Sequence, residues 1–231
     1  MSETSQILSR CALFAGFPPE GLEEAASLCT YKSFHEEQAL YIKGASGKAL
    51  TVIVSGSVRV TSTLPSGRES ILTIVGAGNW LGDAVFCSLP ARVYGAIAHE
   101  PVEVLEFSEA QVHRLLATYP QAYPVIVDQL ARRMCAAMMI IEDDTARSIP
   151  VRVGRRLLFL QIFQGDGKIT EQPMRLRLTR EQVGNMVGLT RQAAQKAIRV
   201  FEQENLVSLE YGTITLTNPA RFETFLTGLD E

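Results

Sequence analysis

The sequence predicts an α+β chain: a β-rich N-terminal half, one long helix, and a helical C-terminal end closed by a short hairpin. Three observations carry that expectation. Residues 31–107 alternate apolar and polar positions between glycine-bearing turns. Residues 123–146 hold apolar side chains at helical spacing. Residues 178–200, LTREQVGNMVGLTRQAAQKAIRV, carry two short helical patterns joined by VGLT.

The first thirty residues read as a helical entry, ILSRCALFAGF and then GLEEAASLC after Pro18-Pro19. In ALTVIVSGSVRVTST, Leu50, Val52 and Val54 alternate with Thr51, Ile53 and Ser55, and the pattern resumes past Gly56 with Val58 and Val60. LPSGRES is a turn, ILTIV a strand, VGAGNWLGD a glycine-rich loop, and GAIAHEPVEVLEF two further strands. Short strands at this spacing indicate a sandwich or a barrel-like roll. SEAQVHRLLATYP is helical up to Pro120. The long helix begins near Tyr123-Pro124, where proline is tolerated in the first turn, and ends near Ala146. Its Ile126, Leu130, Met134, Ala137 and Ile141 fit either a coiled-coil seam or a helix packed on its own domain. SIP at 148–150 marks a break, VRVGRRLLFLQIF a further helix and QGDGKITEQP a loop, with a domain boundary near Ile149.

Composition narrows the class. The chain has 231 residues, 46% of them hydrophobic, enough for one large or two small cores. Cys11, Cys29, Cys87 and Cys135 lie far apart, with no CxxC pair and no secretory leader, which suits a reducing cytoplasm. No apolar run approaches the roughly 20 residues of a membrane span. The formal charge of −3 is unevenly spread: residues 150–199 hold ten basic side chains against three acids, a local +7 that leaves −10 elsewhere. Such polarity suggests a polyanion-binding segment joined to a part that binds none.

The helix pair locates that segment. Thr179 and Gln182 stand at capping-box spacing, and Gly188 is placed to end the first helix in a left-handed conformation. Thr190 can cap the second. At about 100° per residue from Arg191, Ala194, Ala197, Ile198 and Phe201 fall within roughly 240–340°, and Arg191, Gln192, Gln195, Lys196 and Arg199 within about 0–140°. One face is core; the other is cationic and amide-bearing. Arg reads guanine and Gln reads adenine through bidentate hydrogen bonds in the major groove. Two helices in a turn this tight match a helix-turn-helix, and LVSLEYGTITLTNP supplies a hairpin wing around Tyr211-Gly212.

Residues 10–220 resemble the Crp/Fnr family of bacterial transcription regulators. The resemblance runs through LFAGF, SGSVRV, PSGRESIL, GAGNWLGD, LARRM and, most specifically, TREQVGNMVGLTRQAAQKAIRVFEQENLV. It implies a cyclic-nucleotide-binding-like β-roll for effector sensing (1–118), a dimerisation helix (119–148) and a winged helix-turn-helix (149–231). It further implies a homodimer on a palindromic operator in double-stranded DNA, with RNA polymerase as a partner. Matched position by position, Arg191, Gln192 and Lys196 become base-contacting residues, and Thr179, Arg180 and Thr190 phosphate-contacting ones. Arg199, on the same cationic face, joins the phosphate set. Gln192 and Lys196 stand where the cyclic-AMP-responsive branch has Glu and Arg, so the preferred half-site should differ.

The same resemblance puts an effector pocket at Gly82, Asp83, Arg92, Val93, Ala137 and Met138. Val93 replaces a phosphate-binding hydroxyl residue, and neither Ala137 nor Met138 offers a purine a hydrogen bond. Each such loss from a desolvated ligand costs on the order of 1–3 kcal/mol, so cyclic AMP is not expected as effector. Arg92 reads either as an anion-binding cation or as a structural partner of an acid such as Asp83. No cysteine cluster supports an iron–sulfur group, and His35, His99, His113 and Cys87 sit in no haem motif. A redox role for Cys87 or Cys135 stays open. Without a P-loop, GxSxG, HExxH or clustered metal ligands, the sequence does not read as an enzyme. The rival readings are a DNA-binding regulator with a vestigial pocket and a cyclic-nucleotide-binding module acting through protein partners.

Overall fold

The computed structural model describes residues 1–63, 69–164 and 169–229; side chains of 161–164 are not described. The tip of the LPSGRES turn and part of the QGDGKITEQP loop therefore lie outside the described residues.

Helices α1 (Glu3–Ser9) and α2 (Pro19–Leu28) open the chain, with a 3-10 turn at Ala12–Phe14 between them. Eight strands follow: β1 (Thr30–Phe34), β2 (Ala39–Tyr41), β3 (Ala49–Ser55), β4 (Ser57–Thr63), β5 (Glu69–Gly76), β6 (Trp80–Leu81), β7 (Gly95–Ala98) and β8 (Val102–Ser108). They form two antiparallel sheets, ordered β1-β8-β3-β6 and β2-β7-β4-β5, facing each other as a roll. Inside lie Ile53, Val58, Val60, Val75, Val102 and Val104. The outer side of β3 and β8 is covered as well. Leu50, Val52, Leu105 and Phe107 pack under Leu8, Leu13 and Phe14 and under Leu115 and Ile126. Both faces of β3 are thus buried, and polar Thr51 with them.

The pairing of β4 with β5 carries one irregularity. Thr61 pairs with Ile71 and Val60 with Thr73, leaving Leu72 unpaired in a bulge. An extra residue in one strand reverses the side-chain alternation beyond it, so Ile71 and Ile74 share the face that looks away from the roll interior.

Helix α3 (Glu109–Thr118), a 3-10 turn at Pro120–Ala122 and the long α4 (Tyr123–Ala146) follow. The two readings of α4 divide along its length. Ile126 is buried and Leu130 half-buried against the roll helices, whereas Met134, Met138 and Ile141 are 61%, 58% and 55% exposed. The helix is anchored on the roll at its start, and the apolar side chains along its later turns face solvent. No helix among the described residues is long and apolar enough to cross a membrane.

The C-terminal part comprises α5 (Ile149–Gln164), β9 (Met174–Leu176), α6 (Arg180–Val187), α7 (Arg191–Gln203), β10 (Val207–Glu210), β11 (Thr213–Leu216) and α8 (Pro219–Gly228). The wing has three strands, β10-β11-β9, rather than the two expected. Val153, Leu157, Ile198, Phe201, Leu216 and Phe222 form its core, with Phe201 and Phe222 edge to face at 4.8 Å. Arg156 Nη1 donates to the Met186 carbonyl (2.8 Å) and Arg152 Nη2 to that of Val187 (3.0 Å). Both guanidiniums also pair with Asp144, near the end of α4, at 3.2 Å. Cations at the C-terminus of α6 satisfy carbonyls that have no partner within the helix.

Candidate nucleic-acid interface and effector pocket

The helix-turn-helix is built by local hydrogen bonds. Gln182 N–H donates to Thr179 Oγ1 (3.2 Å), and the Gln182 side chain accepts from Thr179 N–H (2.9 Å). Gly188 ends α6 at φ +69°, a conformation that favours glycine. The Leu189 N–H donates to Gly184 O (2.8 Å), and a Cβ on Gly184 would sit 2.8 Å from Leu189 O, so the turn closes only over glycine. Thr190 then caps α7 by accepting from Ala193 N–H (3.2 Å).

Helix α7 shows the expected segregation. Ala194, Ala197, Ile198 and Phe201 are buried, while Arg191, Gln192, Lys196 and Arg199 are exposed. None of Arg191, Lys196 and Arg199 is in an ion pair among the described residues. Thr179 and Thr190 are exposed at their caps, and Arg180 is half-buried with its Nε unpartnered. Arg180, Arg191 and Thr179 line a groove of about 280 Å³ whose other wall is the wing, Glu210 to Ile214. Tyr211 stands fully exposed at the wing tip. Sequence reasoning marked Tyr211 only as a turn residue; its exposed aromatic ring on a hairpin tip was the available signal.

The basic segment does not act as one surface. Arg152, Arg155 and Arg156 pair with Asp143 and Asp144, Arg175 with Glu210 (2.8 Å), and Arg177 with Glu36 and Glu100 (both 3.3 Å). Among the described residues of the segment, the unpaired positive charge is concentrated on α7 and at Arg180.

The roll places Gly82, Asp83 and Arg92 at one end of its interior. Gly82 lies at φ +104°, where a Cβ would be 2.1 Å from Ala49 O, so this turn requires glycine. Asp83 is engaged by Arg133 of α4, not by Arg92. Arg133 also donates to the Trp80 carbonyl (2.6 Å) and stacks on the Trp80 ring at 3.5 Å. Arg92 instead lies 3.7 Å over the Tyr41 ring. Of the two readings of Arg92, the structural pair with Asp83 is not formed, because Arg133 holds that carboxylate. Tyr94 Oη donates to Asp83 Oδ2 (3.3 Å) and accepts from Gly82 N–H (3.4 Å). Burial pushes the Tyr94 hydroxyl up to about 12 and raises that of Tyr41 further, so both stay protonated. The Tyr41 hydroxyl is buried without a hydrogen-bond partner. Val93, Ala137 and Met138 are exposed and do not join this cluster. Arg133 lies in LARRM beside Arg132 with nothing local to separate the two, and Tyr41 and Tyr94 carried no signal.

Known proteins share this arrangement. A cyclic nucleotide-binding domain model matches residues 31–119, and a Crp-like helix-turn-helix domain model matches residues 151–225. The chain belongs to the Crp/Fnr family. A CRP-like cAMP-activated global transcriptional regulator of Mycobacterium tuberculosis is 25% identical over 218 residues, covering 94% of this chain and 96% of that protein. The cAMP-activated global transcriptional regulator CRP of Haemophilus influenzae is 26% identical over 189 residues, covering 81% and 84%. The fold matches FixK2 of Bradyrhizobium japonicum at a TM-score of 0.73, with 20% identity over 88% of this chain and 98% of that one. The c-di-GMP responsive regulator CLP of Xanthomonas campestris gives 0.69, with 19% identity over 86% and 99%. The two cAMP-activated relatives are global transcriptional regulators, and the likeness to the two solved structures is one of fold.

Proposed function

We propose that this Crp/Fnr protein is a cytoplasmic homodimer that binds a palindromic operator in double-stranded DNA and regulates transcription together with RNA polymerase. The observation that carries the reading is the exposed cationic and amide face of α7, unpaired and flanked by the wing. Arg191, Gln192 and Lys196 read bases. Thr179, Arg180, Thr190 and Arg199 hold phosphates and fix register. The unpartnered Met134, Met138 and Ile141 supply an apolar seam for a second copy's α4. Two recognition helices about 34 Å apart would then meet successive major grooves.

The roll takes an effector other than cyclic AMP, although relatives carry that nucleotide in their names. Supporting this, Tyr41 and Tyr94 fill the pocket end of the roll, Arg133 occupies Asp83, and Val93 offers no hydroxyl. The filled interior also favours a second reading, a regulator with no effector at all. Native mass spectrometry of protein purified from its own host separates them: a bound small molecule supports the first, and bare protein with unchanged operator affinity the second. Titration calorimetry with cyclic AMP should show no saturable binding. The DNA-binding reading is tested by selecting bound sites from random duplexes. Enrichment of a two-fold symmetric sequence supports it, and no enrichment with intact dimer overturns it.

A further inference from the structure

The roll and the DNA-binding domain touch through a face that no part of the DNA reading uses. On the apolar side, Ile71 and Ile74 of β5 are 2% and 0% exposed because they enter the core of the C-terminal domain, beside Leu157 and Val183. The Leu72 bulge is what turns both toward it. Ser70 Oγ donates to the Asn185 carbonyl on α6 (3.4 Å). On the polar side, His99 is buried with Nε2 2.5 Å from the Arg177 carbonyl, in the segment that leads into α6. Its Nδ1 lies 3.5 Å from Arg59 Nη1.

These partners dictate the ring's proton count. A carbonyl only accepts and a guanidinium only donates, so His99 must donate from Nε2 and accept at Nδ1. That is the neutral ring. A second proton, on Nδ1, would face the Arg59 guanidinium directly. The other charged groups around the ring are already engaged. Glu37 and Glu69 pair with Arg59, and Glu36 and Glu100 with Arg177. We propose that this interdomain contact is a latch that stays closed while His99 is neutral and opens when the ring is protonated.

Burial, followed by the Arg59 and Arg177 charges, outweighs the opposing Arg177 carbonyl and Glu100, so the docked ring titrates below the ordinary histidine value of 6.5. The docked form therefore binds fewer protons than the open form. Docking is complete above the ordinary value and weakens as pH falls below it. The DNA-binding helices would be held against the roll at neutral pH and released in mild acid.

The test uses the full chain without DNA, so its outcome is independent of the operator reading. The chain has three histidines, and His99→Gln, which keeps a donor for the Arg177 carbonyl but cannot be protonated, assigns the His99 ring signal by NMR. Its titration midpoint should lie below the ordinary value and move up toward it in Ile74→Asp, which opens the apolar contact. Each unit of movement reads as about tenfold weaker docking of the protonated form. Small-angle scattering should show the wild-type radius of gyration growing between pH 7.5 and 5.5 and that of His99→Gln unchanged. A His99 midpoint at the ordinary value, or equal expansion of the two proteins, overturns the latch.

Discussion

Helix α7 and the interior of the roll treat their charges in opposite ways. On α7, Arg191, Lys196 and Arg199 face solvent and form no ion pair among the described residues. In the roll, Asp83 is held by Arg133 and Tyr94, and Arg92 is stacked on Tyr41. Unpaired side chains on a rigid helix are available to an outside partner. Groups satisfied within the fold demand none, and a ligand entering there must displace contacts already made. The difference lies in which charges the fold has already engaged; in the roll the Tyr41 hydroxyl, buried without a hydrogen-bond partner, is the exception.

Several substitutions would break or sharpen that contrast. The largest effect should come from beneath α7. Phe201→Ala leaves a cavity against Phe222 and Phe225 and should cost about 3–5 kcal/mol in denaturant unfolding. A loss below about 1 kcal/mol would mean that the helix is not seated on this core. Next, Arg133→Met removes the cation from Asp83 and the donor from the Trp80 carbonyl, and should lower stability by about 1.5–3 kcal/mol. Tyr94→Ala alone should not restore cyclic AMP binding, because Arg133 still holds Asp83. Calorimetry showing saturable binding in that variant would place the block at the ring. On α7 itself, Lys196→Ala should cost about 1–3 kcal/mol on the selected sequence and relax preference at one position. Arg180→Ala should weaken all sequences alike and reduce the salt slope by about 1. Both are measured by fluorescence anisotropy at several salt concentrations. The smallest effect on stability, within about 0.5 kcal/mol, is expected for Tyr211→Ala, since its ring touches solvent on every side. A larger loss would show the wing to depend on it.

The contrast also explains what was legible in the sequence. The capping box at Thr179, the Gly188 stop and the sidedness of α7 depend on residues three or four apart, so a linear reading reaches them. The roll was recognisable as short alternating strands, but its wiring was not. Arg133 and Asp83 stand fifty residues apart, and nothing local distinguishes Arg133 from Arg132, which pairs with Asp128 one turn away. Local sequence therefore could not decide between the two readings of Arg92. β9 was missed because three residues are too few for a period, and β6 because the glycines on either side of Trp80-Leu81 read as loop. The orientation of Ile71 and Ile74 depends on one bulged residue that strict alternation does not anticipate.

Asp144 clamps Arg152 and Arg156, and those same guanidiniums grip the carbonyls of Val187 and Met186 just ahead of the Gly188 bend. The tail of the longest helix is therefore geared to the elbow of the DNA reader through two rigid planar forks. A tilt of that shaft would be passed on to the reading head through those two contacts.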